Sequence, residues 1–337
     1  MRTKAPVIAV LGAGSWGTAL ALQLDRSGSR SILWGRDAEQ ISQIRSSRRN
    51  SRYLPEIEIP ASIELETDIA AAVKAADHVL LVPPSHAFAA TIKAIREVLA
   101  AGQGVAWACK GFEPGSGRLL HQVAAELLPP GTPLVIVTGP SFAKEVAMNL
   151  PTAVTVAGSD SRFTSIMAAA LHGGRFRAYT SDDMIGAEFG GATKNVMAVA
   201  TGICDGMQLG DNARAALITR GLAEMMRLGT ALNAKPETLV GLAGAGDLIL
   251  TCTGDLSRNR QLGLLLGQGK TLGQALDEIG QVVEGVNSAA EVQRLANRHK
   301  ITMPISEQVN GIIHRGWNPV EGVARLLARE QKAEHTA

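Results

Sequence analysis

The sequence predicts an α/β fold in which a mostly parallel sheet comes first and an all-α domain follows. Three observations carry that expectation. Short apolar runs separated by helical patterns recur from Val7 to about residue 180. A glycine-rich turn closes the first of these runs. From Ile185 onward the patterns are long and helical, broken by glycine or proline, with no convincing strand. Strands alternating with helices impose a parallel sheet with right-handed crossovers.

Taken in order, Val7-Ile8-Ala9-Val10-Leu11 is a continuous apolar run ending at Gly12, as a strand buried on both faces requires. Helical spacing runs from Gly17 through Leu24, with Ala19, Leu20, Leu22 and Leu24 available for one buried side, and Gly28 ends it. Ser31-Ile32-Leu33-Trp34 reads as the second strand. An alanine-rich helix over 68–76 precedes a strand over 77–82, which Pro83-Pro84 stops. Further strands are expected over 104–109, 134–137 and 152–157. Helices are then expected over 183–203, 213–232, 258–267, 271–278, 286–299, 304–314 and 319–329. A domain boundary follows near residues 180–185, with no repeats or Pro/Ser-rich linkers on either side.

A chain of 337 residues suggests two domains. Its 46% hydrophobic content and mean hydropathy of +0.10 suit a packed α/β protein rather than a disordered chain. With 33 basic against 31 acidic residues, the net charge of +2 gives no reason to expect nucleic acid or a membrane surface as partner. Cys109, Cys204 and Cys252 are scattered, which excludes a zinc knuckle or a CxxC redox site. A sparse, odd count fits reduced thiols in a cytosol. Met1-Arg2-Thr3-Lys4-Ala5-Pro6 runs straight into the first strand, where no signal peptide of usual form fits. No uninterrupted apolar stretch is long enough to span a bilayer.

Gly12-Ala13-Gly14-Ser15-Trp16-Gly17 matches GxGxxG directly after a strand and before a helix. Gly12 permits the tight turn, Gly14 lets backbone approach a pyrophosphate, and Gly17 lets the helix sit against the strand. The helix N-terminus offers free N–H groups and a positive dipole to phosphates. This is the Rossmann-type arrangement for a dinucleotide. At the end of the second strand stands Trp34-Gly35-Arg36-Asp37. Arg36 suits a 2′-phosphate by bidentate pairing, which favours NADP(H). The competing readings are a surface arginine paired with Asp37 or Glu39, and Asp37 on the ribose of NAD(H).

Carbonyl reduction needs a hydride donor, a proton donor and something to bear charge on oxygen. Tyr53 and Tyr179 are not followed by lysine four positions on, so the tyrosine–lysine pair of short-chain dehydrogenases is absent. No cysteine–histidine cluster offers a catalytic metal site. His78 precedes a buried strand, His299, His314 and His335 read as surface positions, and His86 and His172 fall in loops. Lysine remains. Lys194 sits in Gly190-Gly191-Ala192-Thr193-Lys194-Asn195-Val196, where partial burial would lower its pKa and let it exchange a proton. The alternative is a lysine snorkelling from a helix face. Lys110 follows a strand and precedes Gly111, at the sheet end where ligands bind. Gly139-Pro140-Ser141-Phe142-Ala143 also follows a strand, and offers N–H groups and a hydroxyl. Ser257 reads as the N-cap of a helix whose first turn holds Arg258 and Asn259, a plausible phosphate grip or ordinary capping. Gly244-Ala245-Gly246-Asp247 lacks the third glycine and preceding strand of a second fingerprint, so its glycines serve the approach of Asp247.

Assembled in order, these segments resemble the bacterial-type NAD(P)-dependent glycerol-3-phosphate dehydrogenase family over essentially the full chain. The match includes Cys109-Lys110-Gly111, Gly139-Pro140-Ser141-Phe142-Ala143-Lys144-Glu145, Asn212-Ala213-Arg214-Ala215-Ala216-Leu217-Ile218-Thr219-Arg220-Gly221 and Val282-Val283-Glu284-Gly285 as well as the segments above. The resemblance implies that Lys194 is the general acid/base, and that Lys110 contacts substrate and cofactor and stabilises oxyanion charge. It implies that Asp247 holds the substrate and its lysine neighbours, and that Ser257, Arg258 and Asn259 grip the phosphate. Gly139 and Ser141 would contact substrate, and Ser15, Trp16, Arg36, Lys110, Ala143, Arg258, Val282 and Glu284 would contact cofactor beside Gly12, Gly14 and Gly17. It also implies a cytosolic homodimer without metal, acting on a small phosphorylated substrate for phospholipid synthesis. Residues 1–183 are then the dinucleotide-binding Rossmann domain, and 184–337 a helical substrate-binding and dimerisation domain.

Two rivals share the fold. A ketopantoate or β-hydroxyacid dehydrogenase also combines GxGxxG with a helix-borne lysine, but Ser257–Asn259 and Lys110 argue against it. A nucleotide sensor without turnover needs only the nucleotide half, and Lys194, Lys110, Asp247 and Arg258 together argue against that.

Overall fold

The computed structural model describes residues 5–331 and residue 333; the expectations for the first four residues and for His335 lie outside these. The described strands are β1 (Val7–Leu11), β2 (Arg30–Trp34), β3 (Arg49–Asn50), β4 (Leu54–Glu58), β5 (Glu64–Glu66), β6 (His78–Leu81), β7 (Val105–Trp107), β8 (Leu134–Thr138), β9 (Thr152–Gly158) and β10 (Phe176–Ser181). Eight form one sheet in the order β10-β9-β8-β7-β6-β1-β2-β5, while β3 and β4 make a separate antiparallel pair. β1 lies parallel between two neighbours, so that Ile8 faces Ser31 of β2 on one side and His78 of β6 on the other. The chain lays down β2 and β5 on one side of β1 before crossing to β6. The strand order therefore reverses at β1, and the glycine turn after β1 stands at the switch point where open α/β sheets bind ligands. Only the β8–β9 pairing within this sheet is antiparallel.

Both faces of the sheet are covered, which is why β1 needs no alternation. Ile8 and Val10 join Leu20, Leu24, Ile41, Phe163 and Leu171 in one core cluster. Ala9 and Leu11 join Val73, Phe88, Ile92, Trp107 and Leu120 in the other. The helix Ser15–Arg26 extends the expected one at both ends, and Ser27, with Gly28 at φ +85°, terminates it.

The strands that sequence reading did not find are the polar or short ones. β3 has two residues, β4 contains Pro55, β5 is Glu64-Leu65-Glu66, and β10 has exposed positions. β5 and β10 form the two edges, where burial on both faces is not required and the apolar run disappears. The strand expected over 104–109 ends at Trp107, which places Lys110 three residues beyond the ladder rather than immediately after it.

The chain divides into two compact units. One runs to Ala192 and takes in Gly229–Asp247; the other combines Thr193–Leu228 with the chain from Leu248 onward. The division falls within the helix Met184–Gly206. The second unit contains the helices Arg258–Gly267, Leu272–Ile279, Glu284–His299, Pro304–Arg315 and Pro319–Leu327, all close to the expected spans. Three short segments were missed: the helix Pro236–Val240, a π-helical turn at Leu242–Gly246, and the helix Asp247–Thr253. Among the described residues no single helix is long and apolar enough to cross a membrane.

Within the second unit, Met184–Gly206 and Arg258–Gly267 meet backbone to backbone. A Cβ on Gly202 would stand 2.1 Å from the Arg260 carbonyl oxygen, and one on Gly263 would stand 2.1 Å from that of Val199. This glycine seam brings the start of Arg258–Gly267 against the turn that carries Asn195.

Candidate active site

The residues singled out from the sequence fall into two groups, one in each unit. In the sheet unit, a Cβ on Gly17 would lie 1.8 Å from the Gly12 carbonyl oxygen, and one on Gly12 2.9 Å from that of Val82. Gly12 also holds φ +135°. A Cβ on Gly14 would meet nothing within 4 Å. Gly12 and Gly17 are thus glycine for the protein's own packing, whereas Gly14 faces open space at the N-terminus of Ser15–Arg26, as a pyrophosphate cradle requires. The turn is braced from beneath: Gln40 Nε2 and Asn50 Nδ2 both donate to the Ala13 carbonyl, at 2.7 and 3.0 Å. Trp16 Nε1 donates to the Ala108 carbonyl at 3.2 Å, which ties the turn to the segment leading to Lys110.

Arg36 is exposed and makes no hydrogen bond or ion pair among the described residues. Asp37 caps the helix Ala38–Ser47 instead, with its Oδ1 accepting from Glu39 N and Gln40 N. The reading of Arg36 as paired with Asp37 or Glu39 is therefore corrected.

Lys110 Nζ donates to Asp247 Oδ2 at 2.7 Å and to the Gly139 carbonyl at 2.8 Å. The Asp247 side chain is 1% exposed and that of Lys110 15%. A buried pair of this kind persists only when its remaining donors and acceptors are satisfied, and it leaves the ammonium fixed at the carboxyl end of the sheet. Ser141 Oγ donates to the same Gly139 carbonyl at 2.8 Å. Gly139, at φ +129°, has a backbone shape that side chains disfavour. Ala143 opens the helix Ala143–Ala147 and is partly buried against the core.

In the second unit Lys194 is 6% exposed, buried rather than snorkelling, and its Nζ donates to Thr251 Oγ1 at 2.8 Å. Asn259 Nδ2 donates to Asn195 Oδ1 at 2.9 Å, and Asn259 Oδ1 accepts from Gly285 N at 2.8 Å. That relay joins the helix of Lys194 to the starts of two others. Ser257 caps Arg258–Gly267 as expected, accepting from Arg260 N at 3.2 Å. Arg258 Nη1 donates to the Val282 carbonyl at 2.8 Å, and Glu284 opens Glu284–His299 two residues later. Arg260 is clamped by Asp205 and Asp255, which holds the first turn that presents Arg258 and Asn259. Burial pushes the Cys252 thiol up to about 12, so it stays protonated and unreactive.

Thr251 went unremarked in the sequence; its signal is a hydroxyl inside the apolar stretch Leu248-Ile249-Leu250, four residues after Asp247. Gln40 and Asn50 had no local signal, because only the tertiary fold brings them to the glycine turn. His86 occupies the helical turn Ser85–Ala87, whereas His172 lies in the loop after Ser161–Leu171, as expected, with its Nδ1 accepting from Ala178 N. His78 Nδ1 accepts from Gly104 N. Among the described residues no group of three or more His, Cys, Asp or Glu side chains is placed to hold a metal ion.

A dinucleotide-type sheet unit with a fixed ammonium at its ligand-binding end, followed by a helical unit with a buried lysine, defines a nicotinamide-dependent oxidoreductase. The model of the NAD-dependent glycerol-3-phosphate dehydrogenase N-terminus matches residues 7–164, and that of the C-terminus matches residues 183–324. The chain is 61% identical over 335 residues to a glycerol-3-phosphate dehydrogenase [NAD(P)+] of Stenotrophomonas maltophilia, covering 99% of this chain and 98% of that one. It is 60% identical to the Xanthomonas euvesicatoria protein of the same name, over 97% and 96%. A crystal structure of glycerol-3-phosphate dehydrogenase from Coxiella burnetii superposes with a TM-score of 0.93 at 46% identity, covering 97% of this chain and all of that one. The chain belongs to the NAD-dependent glycerol-3-phosphate dehydrogenase family.

Proposed function

We propose that the protein interconverts dihydroxyacetone phosphate and sn-glycerol 3-phosphate, with NADP(H) preferred over NAD(H), in the cytoplasm and as a homodimer. The observation that carries this reading is Lys110, whose ammonium is fixed by buried Asp247 and by the Gly139 carbonyl in the unit that holds the glycine turn. Gly12, Gly14, Ser15, Trp16, Gly17, Arg36, Lys110, Ala143, Arg258, Val282 and Glu284 are the residues that would hold the dinucleotide. When bound, it supplies the hydride. Lys194 Nζ passes a proton to the carbonyl oxygen as charge develops there, and Lys110 stabilises that charge electrostatically. Asp247 orients Lys110. Ser257, Arg258 and Asn259 bind the phosphate, while Gly139 and Ser141 contact the rest of the substrate. Residues 1–183 serve the cofactor and 184–337 the substrate and dimerisation. The product feeds glycerophospholipid synthesis.

Chiral analysis of the product from dihydroxyacetone phosphate and NADPH tests the reading. It predicts sn-glycerol 3-phosphate; formation of the opposite enantiomer or of no glycerol phosphate overturns it. The ratio of rates with NADPH and NADH tests the cofactor preference.

A further inference from the structure

Glu188 takes no part in the chemistry outlined above, yet it is among the most completely buried carboxyl groups in the sheet unit, with its side chain 2% exposed. Among the described residues no lysine or arginine pairs with it. Its oxygens accept instead from Trp107 Nε1 at 3.0 Å, from the main-chain N of His121 at 3.1 and 3.3 Å, and approach His121 Nδ1 at 2.5 Å. Each partner belongs to a different element. Trp107 is the last residue of β7, fully buried and edge-on to Phe88, three residues before Lys110. His121 is the second residue of the helix Leu120–Leu127. Glu188 itself rides on Met184–Gly206, two and three residues before Gly190 and Gly191.

Those glycines are where the helix touches the lysine's surroundings. A Cβ on Gly191 would lie 2.8 Å from Thr138 Oγ1 and 3.5 Å from Lys110 Cγ, and one on Gly190 would lie 2.6 Å from the Ala243 carbonyl oxygen. The helix therefore fits without clearance between the Lys110 stem and the turn that leads to Asp247. A small shift along or away from the sheet would move one of these, and the Lys110–Asp247 bond with it. Side-chain contacts near Gly191 are apolar or, in the case of Thr138 Oγ1, lack a hydrogen-bond partner, so they give little directional hold. Directional hold comes from Asp183 at the start of the helix, which accepts from Lys235 N, and, at the end of β7, from Glu188.

We propose that Glu188, braced by His121, is a positioning residue for Lys110: it pins the helix Met184–Gly206 to the end of β7 and so fixes where the Lys110 ammonium stands. The inference rests on the role proposed for Lys110, and its test separates the two. Glu188→Gln keeps the shape and an acceptor for Trp107; Glu188→Ala keeps neither. The first readout needs no substrate: the rate of amine acetylation at Lys110, followed by mass spectrometry against exposed Lys74 as reference. Glu188→Ala is expected to raise the relative rate at Lys110 at least fivefold, and Glu188→Gln less than twofold. The second readout is kinetic. Glu188→Ala is expected to lower kcat with dihydroxyacetone phosphate at least tenfold while NADPH affinity changes less than twofold, and Glu188→Gln to recover most of the rate. If Glu188→Ala does not fold, Trp107→Phe replaces it, removing one donor at nearly constant packing, with a smaller expected change in the same directions. Unchanged acetylation of Lys110 in the folded variant overturns the positioning role. An inactive wild-type protein with the expected acetylation pattern overturns the proposed reaction and leaves the positioning role standing.

Discussion

At the scale of single residues, the account turns on three side chains whose settings differ. Lys194 is buried, and its Nζ donates to the Thr251 hydroxyl at 2.8 Å. Lys194→Ala is expected to lower kcat by about 10²–10⁴ while NADPH still binds, measured by steady-state turnover and by quenching of protein fluorescence. Lys110 is instead ion-paired, its ammonium 2.7 Å from the buried Asp247 carboxylate. Arg36 is exposed and uncommitted to any neighbour among the described residues. Arg36→Asp is expected to move the ratio of kcat/KM values from NADPH toward NADH by at least tenfold, and an unchanged ratio removes Arg36 from the cofactor argument. The chemistry-bearing types and most of their places were legible in the sequence, because lysines in small-residue or strand-end settings stand out. Thr251, Gln40, Asn50 and Glu188 were not. Each acts through a partner far away in the chain, as the 81 residues between Trp107 and Glu188 illustrate.

At the scale of elements, the seam between Met184–Gly206 and Arg258–Gly267 sets Asn259, in the proposed phosphate grip, against Asn195. Gly202→Ala would push a methyl into the Arg260 carbonyl, so the helices must part. The expected cost is about 1–3 kcal/mol, read as a lower thermal midpoint, together with a raised KM for dihydroxyacetone phosphate. A second element depends on one carboxyl group. Pro304–Arg315 begins with orphan N–H groups, and Glu224, 1% exposed, accepts from Ile305 N and from both the N–H and hydroxyl of Ser306. Burial nonetheless raises the Glu224 carboxyl above its ordinary 4.5. With the folded value above the unfolded one, the proton-linked contribution favours the fold below 4.5 and is lost as pH rises through the raised value. Glu224→Gln is therefore expected to gain stability relative to the parent on going from about pH 5 to about pH 8 in denaturant titrations. A constant difference contradicts that sign. Helices of the second unit were legible from their apolar stripes, and three also carry a side-chain cap, at Ser257, Thr271 and Asn318. Among the missed elements, Pro236–Val240 and β3 have too few residues for a period to repeat, and β5 and β10 lie at sheet edges where polar residues are tolerated.

At the scale of the whole molecule, the reversal of strand order at β1 determines where chemistry is placed. The glycine turn after β1, the segment after β7 that carries Lys110, and the Gly139 turn after β8 all leave the carboxyl ends of strands in one sheet. The order of motifs along the chain made this architecture legible. The return of Gly229–Asp247 to the sheet unit was not, because nothing in its composition distinguishes it from the helical segments around it.

The central claim is that this chain turns over dihydroxyacetone phosphate. Loss of nicotinamide absorbance with purified protein, NADPH and either dihydroxyacetone phosphate, ketopantoate or a β-keto acid tests it most directly. Oxidation that depends on dihydroxyacetone phosphate, and exceeds that with the other two by at least a hundredfold, is the predicted result. Oxidation driven by ketopantoate or the β-keto acid but not by dihydroxyacetone phosphate, or binding of NADPH with no turnover on any of the three, contradicts it.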